Sequence, residues 1–377
     1  MAQTYFASIQ PGLEEALLRE VRRAGGNRAR ILHGGVEFDA ARKTLYAAHL
    51  HLSTPSRIWL RVDEFRARDA PELYNKTRRY GWERLIGGEH AIEVRASSSK
   101  SRLYHTGKIK AAVADGIRDR FADDLADESA PRVGDVPAKA DNRLCVMARI
   151  HDDRCQLNLD ASGDLLHRRG WRTEIGEAPM RETIAAAMLE MVEWNPEEGL
   201  VDPMCGSGTI AIEAALRATG RAPGLARDFA FQRWRNFQPE RYAAMAEELQ
   251  AEVTDAIPAP IVGRDRAAQV VDIAKRNAGR AGVESLVTFE KADLIDAALP
   301  DQPRWIVTNP PYGDRLSDEG AVDALLNQWR EREEPGHLVF LWPRDRRDAV
   351  KKRAGENLTP KTTFENGGIA VDLWSSL

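Results

Sequence analysis

Between strand-like and helix-like residues the chain carries Val201-Asp202-Pro203-Met204-Cys205-Gly206-Ser207-Gly208-Thr209-Ile210, followed by an alanine-rich helical run. An apolar strand that turns through two close glycines into a helix is half of a crossover unit. A chain of such units is expected to fold as a parallel sheet with helices on its faces. Beyond Arg172 the alternation continues, and it predicts strands at 199–202, 260–263, 287–290, 305–308 and 337–342. Helices are expected at 209–219, 266–281 and 321–332, and a closing hairpin over 362–374, where Asn366-Gly367 stands between two apolar runs.

As a bare pattern, Gly206, Gly208 and Ala211 fit the dinucleotide fingerprint, a weak signal alone. The acid before the loop separates the options. Asp202 at a strand end would face a pyrophosphate unfavourably but suits a ligand carrying an ammonium group. S-adenosylmethionine carries an ammonium and a sulfonium. The candidate cofactor cradle is Asp202, Pro203, Cys205, Gly206, Ser207, Gly208 and Thr209, with glycines where a residue lacking Cβ lets backbone approach a ligand. The alternative is a tight turn with no ligand. Nucleotide folds put a second acid at the end of the next strand, about 20 residues on, to bond ribose hydroxyls. Asp265 takes that place 57 residues after Gly208, and an insertion over 220–258 accounts for the delay. Asp293 ends the third strand and is the candidate for the adenine amino group. A surface or helix-cap role is the alternative for each acid.

Asn309-Pro310-Pro311-Tyr312 follows the apolar run Trp305-Ile306-Val307-Thr308. Two prolines remove backbone donors and stiffen the turn. The Asn309 side chain and the Pro310 carbonyl can then both face a ligand as acceptors, an arrangement that fits an exocyclic amine. Tyr312 would stack on the ring bearing it. The candidate catalytic residues are Asn309, Pro310, Pro311 and Tyr312, with Asn309 also at the cofactor. Guanine N2, adenine N6, cytosine N4 and a glutamine amide all satisfy this chemistry.

The front of the chain reads differently. A strand at 4–9, a helix over Leu13 to Val21, a strand near 35–38 and a helix near 41–52 make one compact α+β unit. Strand-like runs at 58–62, 91–96, 143–151 and 154–159 then mix with helix-like runs at 69–85 and 109–121, and Asp152-Asp153 marks a hairpin turn. The acidic stretch 122–141 is expected as an exposed loop. The predicted domains are 1–56, 57–165 and 166–377.

The chain offers 43% hydrophobic residues and 9 Trp, enough for substantial cores. Its greasiest stretch, Leu338 to Trp342, is far short of the roughly 20 residues of a membrane span, and a cytoplasmic protein is expected. Cys145, Cys155 and Cys205 show neither disulfide nor metal spacing, so no metal is expected. Taken alone, the net charge of −4 disfavours a nucleic-acid partner. It hides an asymmetry, because residues 1–175 hold 30 Lys+Arg against 25 Asp+Glu and the remainder 24 against 33. Arg95 to Lys110 is basic and acid-free, with Tyr104 interleaved, and makes Lys100, Arg102, His105, Lys108 and Lys110 candidate phosphate contacts. Arg168 and Arg169, with Arg172, form a second candidate RNA cluster, an ion-paired hinge being the alternative. Phe229, Phe231, Trp234 and Phe237 among arginines could stack bases, but a packed flap over the sheet is the favoured reading.

The combination DPMCGSGT, GRD with AKRNAGRAG, and TNPPYGDRL resembles the S-adenosylmethionine-dependent RNA guanine-N2 methyltransferases that carry an N-terminal THUMP domain. The segments Ser97 to Thr106, Leu166 to Arg172 and Ala178 to Thr183 resemble that family's THUMP segment and its entry into the methyltransferase. The resemblance covers essentially the whole chain. It implies an α/β fold: a Rossmann-like class I methyltransferase domain preceded by α+β ferredoxin-like and THUMP domains. It also implies S-adenosylmethionine as cofactor and RNA as partner, with the 23S ribosomal RNA branch nearest in wording and a tRNA branch as competitor. A non-catalytic RNA-binding assembly factor retaining the fold is a further alternative. Two departures stand out: one methyltransferase domain where some relatives have two, and Ala267 where relatives often place a second ribose acid.

Overall fold

The computed structural model describes residues 2–124, 130–134, 136–137, 140, 142–174, 180–300, 302–312, 319–332 and 336–377. Among these residues the chain forms two sheets.

The first sheet is built from β1 (Gln3–Ser8), β2 (Asn27–Leu32), β3 (Gly35–Ala40), β4 (Arg57–Arg66), β5 (Ala91–Ser99), β6 (Arg132–Gly134), β7 (Arg143–His151) and β8 (Arg154–Asp160), with α1 (Glu14–Arg23), α2 (Arg42–His51), α3 (Ala70–Arg79) and α4 (Thr106–Asp124) beside it. Its order is β2-β3-β1-β4-β8-β7-β5-β6. β4 pairs with β1 on one side and β8 on the other, so the two front units share one continuous sheet. β2 was not anticipated, because Asn-Arg-Ala-Arg-Ile-Leu shows no clean alternation. It is an edge strand held by ion pairs of Arg28 with Asp39 and Arg30 with Glu37. The helix expected over 69–85 stops at Arg79. Asp69 caps its start, accepting from the Glu72 N–H at 2.8 Å, and a short 3₁₀ turn follows at Trp82–Arg84. The β7–β8 turn is Asp152-Asp153, with φ of 48° and 59°, as a two-residue turn between twisted strands requires. Of the expected loop, 132–134 instead forms β6 beside β5, and 125–129, 135, 138–139 and 141 lie outside the described residues.

The second sheet holds β9 (Leu200–Asp202), β10 (Ile261–Asp265), β11 (Val287–Lys291), β12 (Trp305–Thr308), β13 (His337–Pro343), β14 (Thr359–Asn366) and β15 (Ile369–Ser375) in the order β11-β10-β9-β12-β13-β15-β14. β9 to β13 are mutually parallel, and β15 turns antiparallel to β13. Strand β13 alternates: Val339 and Leu341 join the core beneath α5 (Glu182–Met191), α6 (Thr209–Ala218) and α8 (Ala268–Ala281). Leu338, Phe340 and Trp342 join a second core under α9 (Glu319–Glu331) and α10 (Arg347–Ala354). Connections leave β9 toward β10 on one side, while β12 lies on the other, so the sheet has its topological switch point between β9 and β12. Sheets wound in this way bind ligands outside the carboxyl ends of the strands beside that point.

The two sheets are locked together. Arg23 makes a two-pronged ion pair with the buried Glu190, 2.7 Å on each arm, and Arg217 reaches the same carboxylate at 3.1 Å. The insertion does not cover the second sheet as expected. Its aromatic run packs on α2, Tyr46 stacking on Phe231 at 5.1 Å and His49 meeting Phe229 edge-on at 4.9 Å, while α7 (Pro239–Glu252) lies alongside. Phe229, Phe231 and Trp234 are buried, so they need an apolar partner, and α2 supplies it. Each such ring contributes about 1.5–3 kcal/mol by leaving water.

Candidate active site

The candidate residues stand at or just beyond those strand ends. Asp202 closes β9 and is fully buried. Its Oδ1 accepts from the Thr308 hydroxyl at 2.7 Å and from the Met204 N–H at 3.2 Å. The bond to Thr308 ties β9 to β12 at the switch point. Burial pushes the Asp202 carboxyl up to about 7, against the pull of those two donors. One residue beyond Thr308, the Asn309 Oδ1 is buried and has no hydrogen-bond partner. Such an acceptor costs about 1–3 kcal/mol unless a ligand satisfies it.

The glycine loop follows Asp202. Gly206 (φ 52°) and Gly208 (φ 84°) both occupy left-handed backbone, but for different ends. A Cβ on Gly206 would meet nothing within 4 Å, so its open side can admit a ligand. A Cβ on Gly208 would press on Ala274 and Phe289 at 3.0 Å, so this glycine serves packing rather than ligand approach. Pro203 and Cys205 are buried at the turn, and the Cys205 N–H donates to the Arg264 carbonyl at 2.8 Å. Ser207 and Thr209 are buried where the loop enters α6.

Asp265, ending β10, accepts from the Gly206 N–H at 3.0 Å and from the Ala267 N–H at 3.0 Å, so it also braces the loop. Asp293 follows β11 and accepts from the Ile295 N–H at 3.0 Å, which makes it the cap of a turn. Asn277 was not singled out. It sits on the buried stripe of α8 with Val271, Ala274 and Ala278 and donates to the Ser207 carbonyl at 3.1 Å. A polar residue at helical spacing among buried apolar ones was the signal that could have found it. Thr308 carried no such signal.

Pro310 is buried, Pro311 half-buried, and the half-buried Tyr312 accepts at its hydroxyl from Nδ2 of Asn366 at 2.6 Å. Residues 313–318 lie outside the described residues.

The model of the RMKL-like methyltransferase domain matches residues 169–369. The chain belongs to this methyltransferase family. Ahead of that domain, models of the RlmL ferredoxin-like domain and the THUMP domain match 4–59 and 67–160, which establishes the expected fold class. A Synechocystis sp. protein that carries the name "Putative RNA methyltransferase slr0064" is 30% identical over 98% of this methyltransferase and 95% of its own length. The ribosomal RNA large subunit methyltransferase K/L of Aliivibrio fischeri is 34% identical over 86% of this chain. The match spans 46% of that enzyme, so this chain corresponds to about half of it. The crystal structure of "SMU.472, a putative methyltransferase complexed with SAH" is 28% identical and superposes with a TM-score of 0.86 over 99% of this chain and 97% of that one.

The RNA candidates of this methyltransferase divide. Lys100, Arg102, His105, Lys108 and Lys110 are exposed on the loop after β5 and the first turn of α4, and Tyr104, 65% exposed, packs on His105 at 4.3 Å. The segment is acid-free in sequence only, because the β7–β8 turn brings in Asp153, which accepts from the Arg102 N–H at 2.7 Å. Arg168 is exposed. Arg169 is not available to RNA. It is 5% exposed, pairs with the buried Glu213 at 3.3 Å, and donates to the Leu166 and Ser53 carbonyls. The hinge alternative holds for Arg169, and also for Arg172, which pairs with the buried Glu182 at 3.0 Å.

Among the described residues no helix is long and apolar enough to cross a membrane, and no cluster of His, Cys, Asp and Glu could hold a metal.

Proposed function

We propose that the chain transfers the methyl group of S-adenosylmethionine to the exocyclic N2 of a guanosine in 23S ribosomal RNA. The observation that carries the reading is the buried, unsatisfied Asn309 Oδ1 one residue from the Thr308–Asp202 bond at the switch point. The names of the relatives support RNA as the substrate, and the K/L enzymes support the large ribosomal subunit. A cytoplasmic site of action goes with that substrate.

The residues fit the cofactor. Asp202 offers a carboxylate to the ammonium, Gly206 an open backbone face, Asp265 acceptor oxygens to ribose and Asp293 an acceptor to adenine. When bound, S-adenosylmethionine supplies an electrophilic methyl group on sulfonium. Asn309 Oδ1 and the Pro310 carbonyl then accept the two N–H bonds of the target amine, which turns its lone pair toward the methyl donor. Tyr312 stacks on the base. No strong base is needed, because the nitrogen becomes acidic only as the new N–C bond forms.

Because burial raises the Asp202 carboxyl, cofactor binding is expected to depend on pH. Below about pH 7 the buried carboxyl of the free protein keeps its proton, and a cation requires the ionised form. Cofactor affinity is expected to strengthen by about tenfold per pH unit up to about 7 and then level off. The contribution of this group to stability runs the other way. It is greatest below the ordinary carboxyl range and falls as pH rises toward 7. Calorimetric titration of S-adenosylmethionine from pH 5.5 to 8.5 measures the binding effect. A slope that survives in Asp202→Asn would assign it elsewhere.

The function itself is tested by incubating the protein with methyl-labelled cofactor and RNA from cells lacking it, then digesting the RNA and identifying the labelled nucleoside by mass spectrometry. N2-methylguanosine in 23S rRNA is expected. Label in N6-methyladenosine, or confined to tRNA, would replace the base or the RNA in this reading.

A further inference from the structure

The hairpin that closes the second sheet also reaches the site. β15 is antiparallel to both β13 and β14, so β14 ends at the same sheet edge as β12, and its last residue is Asn366. The turn is Gly367-Gly368 (φ 61° and 85°), one residue later than the sequence suggests. Asn366 is therefore a paired strand residue facing Ile369, and its side chain is left available. In the sheet order β14 lies three places from β12, about 14 Å at ~4.8 Å per strand. Asn366 nonetheless donates to the Tyr312 hydroxyl at 2.6 Å. Asn309 to Tyr312 must therefore cross the ends of β13 and β15. Three extended residues and a tyrosine side chain reach about that far, and two successive prolines hold such a segment extended. The Tyr312 ring packs against both cores of the domain, so the bond from Asn366 fixes the far end of a ring already held along its sides.

We propose that Asn366 is a positioning residue for methyl transfer: by donating to the Tyr312 hydroxyl it holds the Asn309–Tyr312 segment taut across the sheet edge and sets the angle of the ring on which the target base stacks. The proposal rests on the methyl-transfer reading above. Asn366→Ala is expected to lower kcat about 5- to 10-fold, the value of one hydrogen bond, with S-adenosylmethionine affinity and the thermal midpoint nearly unchanged. Because Asn366 acts through the hydroxyl, Tyr312→Phe should show a similar loss, and the double variant should be no worse than either single one. Multiplying losses, or wild-type kcat in Asn366→Ala, would overturn the role. NMR of protein with ring-labelled tyrosine, the Tyr312 signal assigned from Tyr312→Phe, reads the tie without turnover. Asn366→Ala should move that signal, and an unmoved signal refutes the tie whatever the substrate. If the wild-type protein methylates no RNA, the functional reading fails and the role with it, while the NMR result still decides whether the ring is held.

Discussion

Asn309→Ala is expected to lower the rate of methyl transfer by about 10³-fold while S-adenosylmethionine binding stays within a few-fold of wild type. Removing one preorganised hydrogen-bonding group from a water-poor site commonly costs 10² to 10³ in rate. Asn309 lies at the upper end, because its Oδ1 is buried and has no other partner, so its whole capacity is kept for the ligand. In the proposed reaction the group also selects among rotations of the amine. Without it the lone pair stays in conjugation with the base and points away from the methyl donor. Single-turnover rates with labelled cofactor, alongside calorimetry, separate the two effects. A variant that transfers at the wild-type rate would remove Asn309 from the reaction. One that loses cofactor affinity and rate together would make it a cofactor residue only.

The second large effect concerns stability. Arg169→Met is expected to destabilise the protein by about 3 kcal/mol, since it leaves Glu213 buried without its cation, and breaking such pairs costs about 3–5 kcal/mol. Burial already pushes the Glu213 carboxyl upward, and Arg169 is the charge that opposes this. The guanidinium also accounts for the Leu166 and Ser53 carbonyls, so one substitution loosens the front sheet, the linker and α6 together. A lowered midpoint in denaturant, with an unchanged slope of RNA affinity against salt, is the expected pair of results. A shallower salt slope at normal stability would return Arg169 to the RNA-contacting set.

The parallel strands of the second sheet were legible because each is a short buried run followed by a breaker and a helical period. The carboxyl-end acids and the Asn309 turn came with them, since strand order fixes where such residues meet. What stayed hidden depended on partners far away in sequence. Arg168, Arg169 and Arg172 read equally as an RNA cluster or an ion-paired hinge until Glu213 on α6 is seen beside Arg169. Thr308 looks like a plain strand residue until it is found bonded to Asp202. The aromatics of the insertion announced burial but suggested the sheet as their partner, whereas they pack on α2, nearly two hundred residues earlier. β2 failed for another reason: an edge strand exposed on most of its length needs no hydrophobic pattern, only a neighbour to bond.

The shared front sheet has a consequence for how the protein is made. β4 completes its pairing with β1 early, but its other side waits for β8, about ninety residues later in the chain. At ribosomal speeds of about 5–20 residues per second, that edge stands open for roughly 5 to 20 s. An open strand edge is a template for pairing with any other extended chain. The first unit therefore leaves the ribosome unfinished, and its safe completion depends on how quickly the rest of the THUMP segment is synthesised.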